Sequence, residues 1–264
     1  MTAGGEDLVR VERLCKRFGG VVAASELSFA IPRGRITALI GPNGAGKTTV
    51  FNCLSGLYQP SGGEVWWLGS SARPRRLSGR KPHQVTRLGL ARTFQNIRLF
   101  ASMTALENVM VGQHVRSQAG ILGAIFRPAS VRQEEERIVR RAFACLSRVG
   151  LAHRAQELAR TLPYGDQRRL EIARALATEP LLLLLDEPAA GLNPSETREM
   201  EALIRRLAGE SGLTVLLIEH DMRLVMAISD TVLVMDRGQI IAAGPPREVA
   251  ADPRVIAAYL GAAA

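Results

Sequence analysis

Aromatic residues make up only 5% of the 264-residue chain, and there are three cysteines and four histidines. Each scarcity excludes something. Cys15, Cys53 and Cys145 lie far apart, with no CxxC pair and no Cys/His cluster, so a zinc site is not expected. A sparse, odd count fits a reducing compartment better than a disulfide framework, and each thiol reads as a small packing residue. No apolar run approaches the roughly 20 residues that span a bilayer. Residues 181–185 suffice only for a buried strand, and the uncharged stretch 117–126 is too short to cross. The first ten residues carry acids and glycines without an apolar core, so no signal peptide is expected. Acids are outnumbered, 25 against 34 Lys and Arg, for a formal charge of +9. An excess of that sign suits nucleic acid or an anionic membrane surface. Yet aromatics do not interleave with the basic runs (73–81, 137–141 and 168–169) as a single-strand binder requires. These arginines read mostly as solvated loop and helix faces, and no nucleic-acid partner is expected. Apolar residues, 47% of the chain, are spread along its whole length, which indicates a globular fold with one large α/β domain and a modest appendage.

The most informative stretch is Gly41-Pro42-Asn43-Gly44-Ala45-Gly46-Lys47-Thr48, followed by Thr49. It lies between an apolar run, 36–40, and a helical segment beginning near Lys47. Strand, glycine-rich loop and helix in this order curl successive N–H groups around a polyphosphate, and the helix adds its positive dipole end. Lys47 is placed to meet the β- and γ-phosphates, and the Thr48 hydroxyl to ligate Mg²⁺. The full eight-residue pattern in this context makes an ordinary turn a poor alternative.

A second constellation is 181–185 followed by Asp186-Glu187. The apolar run reads as a strand buried on both faces, expected beside the phosphate-loop strand. Asp186 then emerges at the nucleotide edge to hold the Mg²⁺ shell, and Glu187 is placed to polarise a water for attack on the γ-phosphate. Elsewhere the periodicity gives strands at 8–14, 21–31, 64–68 and 214–219, an exposed loop at 69–81, and a mixed stretch at 85–115. Helices are expected at 103–111, 131–149, 167–177, 196–209 and 222–228. A hairpin is expected at 231–243 around Arg237-Gly238, then a partly helical end at 248–260. Strands alternating with helices imply an open, mostly parallel sheet with the phosphate loop at its carboxyl edge.

With these residues in hand, the chain resembles the ATP-binding subunits of ABC transporters over nearly its whole length. Six motifs match in order: Gly41 to Thr48 as Walker A, Gln95 as the Q-loop, Leu162-Pro163-Tyr164-Gly165-Asp166 as the signature, 181–187 as Walker B, Ala189-Ala190-Gly191-Leu192-Asn193 as the D-loop, and His220 as the switch histidine. The resemblance implies a P-loop core of ABC type with a mostly parallel sheet, an antiparallel β-subdomain and a helical signature subdomain. It divides the single nucleotide-binding domain into a core at about 1–98 and 162–264, a helical insert at about 99–161, and an extension at 244–264. It implies ATP and Mg²⁺ as ligands. Phe18 would lie against adenine, Gln95 would touch the Mg²⁺ and water region, His220 would contact the γ-phosphate, and residues 162–166 would cap the ATP of an opposing subunit.

Pro163 stands where the family usually has serine and lacks both N–H and hydroxyl. Tyr164 replaces a common glycine, Asp166 a common glutamine, and Asn193 the usual aspartate. These departures, with Arg92-Thr93-Phe94-Gln95, residues 218–222 and the ending Ala258-Tyr259-Leu260-Gly261, resemble the branched-chain amino acid uptake branch. That likeness implies a sister ATP-binding subunit or a homodimer, two integral membrane permeases, a periplasmic or extracellular solute-binding protein, and a place on the cytoplasmic face of the membrane. Related systems move urea or short amides. Lipopolysaccharide export ATPases share an Arg-Thr-Phe-Gln-like segment but have a more usual signature. Members that act on DNA or ribosomes carry long coiled-coil inserts, zinc cysteines or two nucleotide domains, none of which is read here.

Overall fold

The computed structural model of the chain describes residues 6–69, 73–113 and 129–260. Strand β1 (Asp7–Phe18) alternates buried and exposed side chains and pairs antiparallel on one side with β2 (Val21–Pro32) and on the other with β4 (Gly62–Trp67). Bulges interrupt both pairings, and Arg13 and Glu26 adopt positive φ there. A short edge strand, β5 (Arg75–Arg76), completes this four-stranded sheet. The exposed loop expected at 69–81 is therefore in part an edge strand: Arg76 pairs with Trp66 and forms an ion pair with Glu64 at 3.3 Å. Residues 70–72 lie outside the described residues.

The second sheet holds six strands in the order β10 (Gln239–Gly244), β9 (Thr231–Asp236), β3 (Ile36–Ile40), β8 (Thr214–Ile218), β7 (Leu182–Asp186) and β6 (Leu90–Arg92). From β9 to β6 every pairing is parallel, and only β10 runs against its neighbour. Strands β3, β7 and β8 are buried throughout, as near-continuous Leu, Ile and Val runs covered on both faces require. The β9–β10 hairpin turns at Arg237 and Gly238, both at positive φ, as a two-residue connection demands. One core under these two sheets takes in Phe51 and Leu54 of helix α1 (Lys47–Leu54), Trp67, Leu39, Leu184, Leu216, Ile218 and Met235.

The sheet order corrects one expectation. The strand carrying Asp186 is not beside the phosphate-loop strand, because β8 lies between them. All three strands are equally apolar, so nothing in their pattern reveals which sits in the middle. The insertion sets the two motifs two strand spacings apart, about 10 Å rather than 5 Å. The stretch at 85–115 also resolves into defined elements. Helix α2 (Pro82–Leu88) starts on a proline and ends at Gly89 with φ +106, and β6 follows directly.

Residues 6–92 and 181–260 form one compact unit and residues 93–180 a second. The second unit packs helices α3 (Ala105–Gln113), α4 (Ala129–Arg148) and α5 (Tyr164–Leu176) around Ala105, Val109, Ala142, Leu146, Leu170 and Ala173. The buried amide of Asn108 donates to the carbonyls of Phe100 and Thr104, satisfying polar groups that this small core would otherwise strand. The helix expected at 131–149 faces inward at Ala142, Leu146 and Val149. Arg168, grouped above with solvated arginines, is instead buried. It donates to the Tyr164 hydroxyl at 2.8 Å and to the Phe94 carbonyl at 3.2 Å.

Candidate active site

The register of the parallel sheet sets Leu39, Ile218 and Asp186 in one row across β3, β8 and β7. The three segments that follow this row, 40–48, 219–221 and 187–193, therefore leave the sheet at the same edge.

The first is the phosphate loop. Gly41 has φ +147 and Gly46 φ +102, and a Cβ on either would run into a backbone carbonyl, that of Met235 or Ala23. Only glycine allows this path. The loop is pinned by Ala45 N–H donating to Pro42 (3.2 Å) and by Gly238 N–H donating to Ala45 (3.0 Å). Helix α1 begins at Lys47 with no side-chain cap at Gly46 and no acid in its first turn. Its leading N–H groups and dipole thus suit an anion, which is the fit a triphosphate requires. Asn43, Gly44 and Thr48 are exposed, while Pro42 and Thr49 are half-buried. The Lys47 ammonium donates to the carbonyls of Gly41 (2.6 Å) and Pro42 (2.9 Å). Burial lowers its pKa, and the charges of Glu187 and then Asp186 act against that shift. Those two acids bear on Lys47 across the intervening strand.

Asp186 closes β7 and is buried. Its Oδ2 lies 2.8 Å from the Arg92 guanidinium, with the two side chains 5% and 6% exposed. Arg92 also donates to Asn52 Oδ1 (2.6 Å) and Ser55 Oγ (3.1 Å) and lies over the Phe51 ring. Glu187 has φ +49, an uncommon conformation for a side chain of its kind. Its N–H donates to Ile218 (2.9 Å), and its carboxylate lies 3.8 Å from His220 Nδ1. The His220 ring is 66% exposed. Among the described residues no three His, Cys, Asp or Glu side chains cluster for a metal. An Mg²⁺ ion would therefore rest on Thr48, Asp186 and the phosphates of the substrate, the arrangement this ion commonly takes.

Phe18 ends β1 beside Tyr58, ring centroids 5.2 Å apart, with Lys16 over both rings. Asn193 caps helix α6 (Pro194–Ser211): its side chain accepts from the N–H groups of Ser195 and Glu196, and the Glu196 carboxylate returns the bond to Asn193 N–H. An amide performs this capping as well as the aspartate it replaces.

Gln95 and the signature residues belong to the second unit. Gln95 is exposed in the loop following β6. Pro163 precedes α5 with extended ψ, and it and Tyr164 are exposed, whereas Leu162, Gly165 and Asp166 are buried. Asp166 is held by Arg154 (3.0 Å) and by Arg169.

Three residues were given no role by the sequence reasoning. Arg92 was visible only as part of a motif. Glu219 could have been noticed as an acid directly after a fully apolar strand. Tyr259, in helix α7 (Pro253–Leu260), buries its hydroxyl, whose pKa burial raises against the opposing influence of the Gly41 backbone.

Residues 24–190 match the family model described as ABC transporter. The chain belongs to the ABC transporter ATP-binding family. Residues 239–264 match a second model, branched-chain amino acid ATP-binding cassette transporter. The ABC chain is 47% identical to the high-affinity branched-chain amino acid transport ATP-binding protein LivG of Salmonella typhimurium, over 98% of this chain and 99% of that protein. It is 46% identical to BraF of Pseudomonas aeruginosa, over 97% and 98%. Among solved structures it is similar to an ABC transporter ATP-binding cassette in its ADP conformation, with a TM-score of 0.83, 32% identity, and coverage of 97% of this chain and 99% of that one. The ABC assignment makes the chain an ATPase, and the likeness extends across both units and the C-terminal helices.

Proposed function

We propose that the chain is the ATP-hydrolysing subunit of an importer for branched-chain amino acids or related small polar solutes. The observation that carries this reading is the convergence of Lys47, Asp186, Glu187 and His220 at one sheet edge, with the two acids acting on the lysine charge. Lys47 and the loop N–H groups bind the β- and γ-phosphates. Thr48 and Asp186, with Gln95, would hold Mg²⁺, which would supply positive charge to offset that of the phosphates. Glu187 takes the proton of the attacking water, and His220 contacts the γ-phosphate. Phe18 stacks on adenine. Residues 162–166 cap the nucleotide of a second copy or of a sister subunit, so that two ATP molecules lie between the pair.

Among the described residues no helix is long and apolar enough to cross a membrane. Translocation is therefore assigned to separate permease subunits, on whose cytoplasmic side this chain docks, with an external binding protein delivering the solute. The names and near-complete coverage of the relatives support the substrate class. Glu187→Gln tests the chemistry: Mg²⁺-dependent hydrolysis should fall at least a hundredfold while ATP still binds, and undiminished turnover would remove the assigned base. Reconstitution with the permeases and binding protein of a branched-chain amino acid importer tests the transport assignment: ATP-dependent uptake of labelled leucine is expected, and its absence would overturn the substrate class.

A further inference from the structure

Glu219 is the most deeply buried acid at the catalytic edge, 1% exposed, and the proposed chemistry makes no use of it. Its two oxygens are divided between two functional segments. Oε1 accepts the N–H of Ala189 at 2.9 Å, and Oε2 accepts the N–H of its own neighbour His220 at 3.2 Å. The Asp221 backbone also acts on it. Burial works against the charged form, but its recorded partners are all N–H donors, which a carboxylate satisfies and a protonated acid does not. One residue earlier, the carbonyl of Ile218 accepts the N–H of Glu187. The tripeptide from Glu187 to Ala189 is therefore fastened at both ends to the segment from Ile218 to His220.

We propose that Glu219 is a positioning residue, a clasp that locks the loop after Glu187 to the His220 backbone so that base and histidine keep one geometry and move together. At 1% exposure the Glu219 carboxylate is shielded from solvent. It sets the relation between Glu187 and His220, whose side chains lie 3.8 Å apart with the histidine largely exposed. The loop it holds, 189–193, ends at the cap of helix α6. A displacement of that loop by an opposing subunit is thereby passed through one carboxylate to His220. This inference rests on the reading that Glu187 and His220 act on the γ-phosphate, but the clasp itself can be observed without turnover.

Glu219→Gln is nearly isosteric, keeps one acceptor and turns an amide donor toward one of the two N–H groups. In the full chain, amide hydrogen exchange should show segments 187–191 and 219–221 losing protection together, at least tenfold each, while the phosphate loop keeps its protection. Loss at only one segment, or at neither, overturns the clasp. In steady-state hydrolysis kcat should fall tenfold or more with KM for MgATP within twofold. In a His220→Ala background the same substitution should cost no more than a further twofold. A variant that melts lower but keeps kcat, or losses that multiply in the double variant, would show a purely structural acid. If Glu187→Gln retains full activity, the assignment of the base fails, while the exchange experiment still decides the coupling.

Discussion

The buried pair between Arg92 and Asp186 lets the electrostatics of this site be tested without nucleotide. Replacing Arg92 by alanine leaves the Asp186 carboxylate, 5% exposed, without the guanidinium at 2.8 Å. Breaking one side of a buried pair costs about 3–5 kcal/mol, because the remaining charge is neither solvated nor matched. The bonds to Asn52 and Ser55 are lost as well, each net about 1 kcal/mol. For a chain of this size a loss of about 1 kcal/mol lowers Tm by roughly 2–4 °C, so the combined loss of about 5–7 kcal/mol should lower it by about 10–28 °C. The two units need not unfold together. Both tryptophans, Trp66 and Trp67, lie in β4 of the first unit, so their fluorescence isolates the affected part. Urea melts followed by tryptophan emission, for the wild type, Arg92→Ala, Asp186→Ala and the double variant, give the coupling directly. The double variant should be more stable than Arg92→Ala alone, since the orphan charge is gone. Millimolar Mg²⁺ should stabilise Arg92→Ala more than the wild type. A loss below about 1 kcal/mol, or strictly additive effects, would refute the claim that this carboxylate depends on its partner.

Three further outcomes follow from the same geometry. Burial pushes the Cys53 thiol from its ordinary value of 9.0 up to about 11, against a weaker opposing influence of Lys16. A folded value above the unfolded one means stability is whole below pH 9 and is lost as pH rises toward 11, by on the order of 3 kcal/mol. Chemical melts at pH 8 and 10.5 should show this loss in the wild type and a smaller one in Cys53→Ala. Gly46→Ala places a Cβ against the Ala23 carbonyl at φ +102, so nucleotide binding measured by calorimetry should disappear or the chain should fail to fold. Asn193→Ala removes the acceptor for two N–H groups at the start of α6 and should cost about 1 kcal/mol in thermal unfolding, whereas Asn193→Asp should cost almost nothing.

The phosphate loop and the Asp186-Glu187 pair were legible because their chemistry is local: a fixed spacing of glycines, a lysine, and acids at the end of an apolar run. Element types were legible wherever one face differs from the other, as in β1 and α6. What stayed hidden depends on three-dimensional neighbours. Strands β3, β7 and β8 are all buried on both faces, so none carries a mark of its place in the sheet, and β8 could not be foreseen between the other two. Arg75 and Arg76 read as loop because an edge strand exposes both residues and leaves no apolar alternation to mark it. Arg168 and Glu219 read as solvated or incidental because charge predicts exposure on average. Their burial became visible only once the tyrosine hydroxyl, the carbonyl and the amide N–H groups that satisfy them were in place.

The departures at the signature segment can be weighed by the same reasoning. Pro163 removes one hydroxyl and one N–H just before α5, and nothing in the segment replaces them. An acid in the first turn of a helix proposed to cap a phosphate would add repulsion. Asp166, however, is turned inward and held by Arg169 and by Arg154, which also pairs with Glu157, so that two positive charges balance two negative ones. The end of α5 therefore keeps its dipole without a net negative charge. Tyr164 remains exposed at this end, and its hydroxyl is gripped by the buried Arg168, which also holds the Phe94 carbonyl, the residue before Gln95. Where the family pattern has a serine and a glycine, this chain thus has a proline and an aromatic tied through Arg168 to the Q-loop backbone. On the proposed reading, recognition of an opposing nucleotide at this helix rests on backbone N–H groups and the dipole, and its mechanical link to Gln95 runs through Arg168.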